Sequence, residues 1–117
     1  SMSPTIVFKN AKPVMALGSP SGTRILTCVA QVILNRLAFE LSPFQSVSAT
    51  RIHHQWLPDK LWIGEPGVSP EVQKELALKG HQIESKSLGC KVQLVGRIDE
   101  ELVGVSDPRG VGLSLGL

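Results

Sequence analysis

The sequence predicts an α+β fold in which helices are layered on an antiparallel sheet. The chain has 117 residues and a mass of 12.6 kDa, so we expect a single domain over residues 1–117. Hydrophobic residues make up 42% and charged residues 19% of the chain, a composition that is apolar enough to fold. The predicted order of strand, strand, helix, helix, strand, helix and three strands is typical of this class.

The N-terminal part predicts a β-hairpin followed by a long helix. Residues 4–9 include a run of β-branched and aromatic side chains, residues 10–13 form a turn, and residues 14–17 supply the second strand. Ser19 is the predicted N-cap of the helix, with Pro20 at its first position.

The long helix is predicted over residues 23–41. Its apolar residues cover most of the circumference, and a narrow polar stripe contains Arg24, Thr27, Gln31 and Asn35. Such a helix is expected to be buried between layers of structure.

Two shorter helices carry capping signals. Ser42 and Gln45 fit a capping box that opens a helix to about residue 50. Ser69 is the predicted N-cap of the next helix, and Gly80 ends it.

The remaining segments predict an ordered loop and four strands. Residues 51–58 show neither a helical nor an alternating pattern of apolar residues, so we predict an ordered loop there. The strands are expected at residues 61–63, 82–85, 91–95 and 101–105.

Charge and composition argue against several classes of partner. The net charge is +2 with scattered basic residues, there is no Tyr, and aromatic residues are 4% of the chain. These values disfavour nucleic-acid binding. The apolar runs are far shorter than the roughly 20 residues that span a bilayer, so no membrane partner is expected. The function classes that remain are a part of an enzyme and a protein-binding module.

The two cysteines are predicted to be free thiols. Cys28 lies in the apolar helix and Cys90 in a loop, at a separation typical of neither a metal site nor a disulfide framework.

No metal site is predicted from the three histidines. His53 and His54 are adjacent and point to different sides, while His81 lies at a helix end. A closed site needs three or four converging ligands, so structural or hydrogen-bonding roles are favoured.

Two polar features leave alternatives open. Asp107 and Arg109 in Ser-Asp-Pro-Arg could bind a substrate or form an Asp-Pro turn with a salt bridge. The Gly-Ser-Pro-Ser-Gly segment at residues 18–22 lacks the Walker pattern. Its backbone N–H groups could hold an oxyanion at the helix start, or it could be an ordinary strand-to-helix connection.

Four motifs in order carry a resemblance to a known family. They are Ser-Met-Ser-Pro-Thr-Ile at 1–6, Gly-Ser-Pro-Ser-Gly at 18–22, Arg-Ile-His-His-Gln-Trp-Leu-Pro-Asp at 51–59 and Ser-Asp-Pro-Arg at 106–109. Together they span nearly the whole chain. The chain resembles the C-terminal part of the γ-glutamyltransferase (γ-glutamyltranspeptidase, glutathione hydrolase) small subunit, with the bacterial type the closer likeness.

The resemblance implies an N-terminal-nucleophile hydrolase fold, an αββα sandwich shared between a large and a small subunit. It implies attack by an N-terminal Thr on a γ-glutamyl amide such as glutathione, then acyl transfer to water or an amino acid. No cofactor is implied. The implied partners are the large-subunit-like and N-terminal small-subunit segments of the same enzyme, with a homo-oligomer also open. The implied location is periplasmic or secreted.

The resemblance also assigns site residues. Ser21 and Gly22 fall on the paired glycines whose backbone N–H groups form the family's oxyanion hole, and Ser21 departs from that pattern. Ser1 and Met2 fall on the end of a segment whose serines help bind the substrate carboxylate, although they could be an expression scar. The family's nucleophilic Thr lies upstream of the matched motifs and not among these 117 residues, so the chain alone is expected to be inactive.

Two other functions stay open at this point. One is a related acylase acting on other γ-glutamyl or glutaryl amides. The other is a stand-alone, non-catalytic interaction domain.

Overall fold

The computed structural model describes residues 2–116 and has a mixed α+β architecture, as predicted. Its elements in chain order are β1 (Thr5–Lys9), β2 (Lys12–Gly18), a 3₁₀ turn (Gly22–Arg24), α1 (Ile25–Leu37), α2 (Pro43–Ser48), β3 (Ile52–His53), β4 (Leu61–Ile63), α3 (Pro70–Leu78), β5 (Ile83–Ser85), β6 (Gln93–Ile98) and β7 (Glu101–Ser106). They fall into two compact units, Ser1–Ser48 with Gly89–Leu117 and Ala49–Leu88.

The first unit is built on a four-stranded antiparallel sheet in the order β1-β2-β6-β7. The hairpin predicted at the N-terminus is confirmed, and a second hairpin joins β6 to β7. Gly18 at the end of β2 pairs with Gln93 at the start of β6. This register places the chain leaving β2 next to the chain entering β6.

The long helix is shorter at both ends than predicted. It begins at Ile25 after the 3₁₀ turn and ends at Leu37. The N–H groups of Ala38 and Phe39 both donate to the carbonyl of Leu34, which ends the regular helix four residues before the predicted position.

The capping box of α2 is confirmed. The Ser42 hydroxyl accepts from the N–H of Gln45, and the Gln45 side chain accepts from the N–H of Ser42, both at 3.1 Å. These reciprocal bonds satisfy two of the donors that a helix start leaves unpaired.

The prediction of free thiols is wrong, because Cys28 and Cys90 form a disulfide. Cys28 lies in α1 and Cys90 lies just before β6, 62 residues later in the sequence. The β2–β6 register brings these segments together, and sequence spacing alone does not reveal such a contact.

The core of the first unit lies between the sheet and the buried side of α1 and α2. Its buried hydrophobic residues are Met15, Leu17, Ile25, Cys28, Val29, Val32, Val47, Cys90, Val92, Leu94 and Val105.

A buried carboxylate joins the C-terminal segment to this core. Asp107 is 1% exposed. It accepts from the N–H of Val92 at 2.8 Å, and from the backbone N–H and Nη1 of Arg109 at 3.0 Å each. Arg109 also donates to the carbonyls of Val47 and Ser48 at the end of α2, at 3.1 Å each. Of the two readings of the Ser-Asp-Pro-Arg motif, the structure shows the turn with a salt bridge.

The second unit holds a three-stranded sheet in the order β3-β4-β5. β3 and β4 are antiparallel, whereas β4 and β5 are parallel because α3 connects them as a crossover. The Ser69 cap is confirmed, since its hydroxyl accepts from the N–H of Val72 at 3.2 Å. β3 lies where the sequence predicted only a loop. The strand has only two residues, which are too few to show an alternation of apolar and polar side chains. It is recognised as a strand only from its pairing with β4.

No helix within residues 2–116 is both long enough and apolar enough to cross a membrane.

Replacing Asp107 with Ala is expected to lower the free energy of unfolding by about 3 kcal/mol or more, because it leaves a partly buried guanidinium without its partner and the Val92 N–H without its acceptor. Glu75→Ala, at an exposed position on α3, is the matched control and is expected to change the stability little. Denaturant unfolding of both variants measures the difference, and equal midpoints would contradict a stabilising role for Asp107.

Candidate functional site

The connection from β2 to α1 contains two successive residues in an unusual backbone conformation. Ser21 has φ 117° and ψ 35°, and Gly22 has φ 56°. Both values lie in the left-handed region that favours glycine. The N–H of Arg24 then donates to the carbonyl of Ser21 at 3.1 Å, and the 3₁₀ turn begins.

Ser19 is not the N-cap of the helix, contrary to the prediction. Its side chain is fully buried, accepts from the N–H of Lys91 at 3.1 Å and donates to the carbonyl of Pro20 at 2.8 Å. A hydrogen bond to a residue 72 positions away has therefore replaced the local cap. Ser21 is the N-cap of the 3₁₀ turn and Arg24 is the N-cap of α1, and neither makes a side-chain capping bond.

Met2 lies against the same connection. Its carbonyl accepts from the N–H of Ser19 at 3.1 Å, and a Cβ on Gly18 would come within 3.1 Å of that carbonyl. The structure thus brings the backbone of Met2 to the turn that carries Ser21 and Gly22. Ser1 lies outside the described residues.

Ser21 is the position at which the family resemblance implies a glycine. The structure gives it a backbone conformation that glycine adopts freely and that other residues adopt at a cost of about 1 to 3 kcal/mol. The serine is therefore accommodated by its surroundings and not by its own conformational preference.

The chemistry open to a helix start of this kind is the binding of a small anion or an oxyanion by backbone N–H groups. The first N–H groups of a helix have no intrahelical partner and lie at the positive end of its dipole. Successive N–H groups in a turn form a concave donor site. A Cβ built on Gly22 meets no atom within 4 Å, so the turn is open on this side.

The histidines lie in the second unit and are engaged locally. His53 is buried, stacks on Trp62 with ring centroids 5.5 Å apart and lies 3.0 Å from the side-chain oxygen of Gln55. His54 pairs with Asp59 at 3.1 Å. Across residues 2–116 there is no group of three or more His, Cys, Asp or Glu residues able to hold a metal ion.

Comparison with known proteins identifies relatives of this chain. The family model for Gamma-glutamyltranspeptidase matches residues 1–117. The glutathione hydrolase proenzyme of Escherichia coli K12 is 44% identical over 112 residues, which are 95% of this chain and 19% of the relative. That of Pseudomonas sp. A14 is 35% identical over 99% of this chain and 22% of its own length.

Solved structures give the same result. The T380A mutant of Helicobacter pylori gamma-glutamyltranspeptidase matches with a TM-score of 0.89 and 40% identity, over 94% of this chain and 61% of that chain. Gamma-glutamyltranspeptidase from Pseudomonas nitroreducens, complexed with L-DON, matches with a TM-score of 0.91 and 33% identity, over 100% of this chain and 62% of that chain.

The chain therefore spans about a fifth of the curated relatives and about three fifths of the solved chains. The α+β fold predicted from the sequence is that of N-terminal-nucleophile hydrolases, the class of these structures. Because the family model matches the whole chain and the fold agrees with the solved members, this chain belongs to the gamma-glutamyltranspeptidase family.

Proposed function

We propose that this chain supplies the oxyanion-binding turn and part of the core of a γ-glutamyltransferase that also acts as a glutathione hydrolase. The observation that carries the proposal is the left-handed turn at Ser21 and Gly22, which opens α1 at the position implied by the family resemblance. In this proposal the nucleophilic Thr comes from another segment of the complete enzyme.

In the proposed mechanism the Thr hydroxyl attacks the γ-glutamyl carbonyl carbon, and its proton passes to the Thr α-amine. The carbonyl oxygen becomes a tetrahedral oxyanion that accepts from the N–H groups of Ser21 and Gly22. Collapse of this intermediate breaks the amide bond, and the leaving amine takes the proton. Water or an amino acid then accepts the γ-glutamyl group by the same steps in reverse. The chain's own contribution is electrostatic stabilisation, and the proposal includes no cofactor.

The proposal assigns the substrate carboxylate to the neighbourhood of Ser1 and Met2. Support comes from the hydrogen bond between the Ser19 N–H and the Met2 carbonyl, which fixes the backbone of Met2 beside the turn. In this proposal, the β2–α1 connection binds the oxygen of the reacting carbonyl and also holds Met2 near the substrate carboxylate.

An exposed apolar stripe on α1 supports association with other segments of the same enzyme. Leu26, Leu34 and Leu37 are 77%, 52% and 51% exposed, and Ala30 lies between them at helical spacing. A helix with apolar residues on both its buried and its exposed side is typical of one covered on both sides.

We also propose that the protein works in an oxidising compartment, the periplasm or the exterior. The Cys28–Cys90 disulfide supports this location, because such bonds persist mainly outside the reducing cytosol.

The chain alone is expected to release no chromophore from a γ-glutamyl anilide, because it lacks the Thr that provides both nucleophile and base. Absorbance assays on purified chain check this expectation. Turnover that is lost in Ser1→Ala would instead make Ser1 the nucleophile.

The chain alone is also expected to self-associate or to bind a hydrophobic dye through the α1 stripe. Sedimentation measures the association state of the wild type and of a Leu26→Gln/Leu34→Gln variant. The variant is expected to contain more monomer, because its stripe is less apolar. A compact wild-type monomer without dye binding would contradict the proposed need for covering segments.

The N–H of Gly22 is expected to contribute about a hundredfold to a thousandfold to kcat in the complete enzyme. Proline is unsuited to test this, because its ring fixes φ near −65° and Gly22 has φ 56°. Replacing Gly22 with glycolic acid turns the N–H into an ester oxygen and adds no side chain. We expect kcat to fall with little change in KM.

The same replacement at Gly67, another positive-φ glycine with no atom near its Cβ position, is the matched control and should leave kcat unchanged. A folded Gly22 ester enzyme with wild-type kcat would remove the oxyanion assignment. Ser21→Gly keeps both N–H groups and is expected to be neutral or mildly activating.

A further inference from the structure

Each of the three residues Gly89, Cys90 and Lys91 contacts either the β2–α1 connection or the first turn of α1. The first contact is steric. A Cβ built on Gly89 would lie 2.9 Å from Oγ and 3.8 Å from Cβ of Ser21. Real Cβ atoms essentially never come within 3.0 Å of another heavy atom, so a side chain at residue 89 would force the Ser21 hydroxyl to move.

The second contact is covalent. Cys90 is 2% exposed and is bonded to Cys28, which is fully buried in the first turn of α1. The bond ties the segment to the helix that the connection opens.

The third contact is a hydrogen bond at the start of the connection. The N–H of Lys91 donates to the buried hydroxyl of Ser19 at 3.1 Å. The segment therefore holds the connection before Ser21 and after Gly22, and it also touches Ser21 itself.

We propose that residues 89–91 are the positioning element of the oxyanion turn, with Gly89 as a positioning residue that acts through Ser21. This inference rests on the proposed function. A non-glycine residue at φ 117° persists only where the surrounding structure holds it there. The disulfide, the Lys91 bond and the close approach of Gly89 supply that support and hold the backbone of residues 21 and 22 in this conformation.

The inference is tested by a double-mutant cycle in the complete enzyme, with kcat, KM and melting temperature measured for each variant on a γ-glutamyl anilide. Gly89→Ala places a methyl group against the Ser21 hydroxyl, and we expect kcat to fall about tenfold to a hundredfold with a smaller change in KM. Adding Ser21→Gly removes the opposing side chain. The double variant is expected to recover kcat to near the value of Ser21→Gly alone.

Gly80→Ala is the matched control. Gly80 has φ +97° and an open Cβ position, whereas Gly89 has φ +71° and an occupied one. Both alanine variants carry backbone strain and should melt at lower temperature, but only Gly89→Ala should lose kcat. This comparison separates positioning of the turn from general loss of stability.

The disulfide is tested separately by Cys28→Ser/Cys90→Ser, assayed well below its melting temperature. We expect a severalfold lower kcat, whereas Val105→Ala, a core variant of the same unit, should lower the melting temperature and leave kcat unchanged.

Three results decide the outcome. Equal loss of kcat in Gly89→Ala with and without Ser21→Gly would overturn the inference, and so would unchanged kcat in either Gly89→Ala or the cysteine variant. A wild-type enzyme without turnover would instead refute the proposed function, and this inference with it.

Discussion

Between the last residue of β2 and the first turn of α1, the backbone passes through two successive residues with positive φ. Glycine adopts this conformation without cost, and serine does not. The geometry of the connection therefore depends on what surrounds it. Hydrogen bonds at Ser19, the close approach of the Ser21 hydroxyl to Gly89 and the disulfide to α1 all act on this one short stretch.

The four-stranded sheet provides the frame for these contacts. Pairing of Gly18 with Gln93 places the segment before β6 alongside the end of β2. The disulfide then closes a loop of 62 residues, for which chain entropy alone accounts for about 4 kcal/mol of stabilisation. An uncommon backbone geometry is thus supported by ordinary sheet pairing and one covalent link.

Local signals in the sequence were sufficient for the hairpins and for two of the three helix starts. The capping bonds of Ser42 and Ser69 each join residues three positions apart. The short sequence pattern therefore contains both partners of the bond and is sufficient to predict it. The start of α1 could not be predicted in this way, because the Ser19 hydroxyl is engaged by Lys91. The Cys28–Cys90 bond and the contact of Gly89 with Ser21 likewise join residues far apart in sequence. The spacing of residues 18–22 left an oxyanion-binding turn and an ordinary connection open, and the assignment of Ser21 and Gly22 as site residues rests on the family resemblance.

The most direct test is a crystal structure of the complete enzyme with a boronic acid analogue of the γ-glutamyl group, whose adduct with the nucleophile imitates the tetrahedral intermediate. The account predicts one boronate oxygen at about 2.7 to 3.1 Å from the backbone nitrogens of both Ser21 and Gly22. It also predicts that the left-handed conformation of both residues is retained. An adduct whose oxygens bind elsewhere, with the turn contacting none of them, would contradict it.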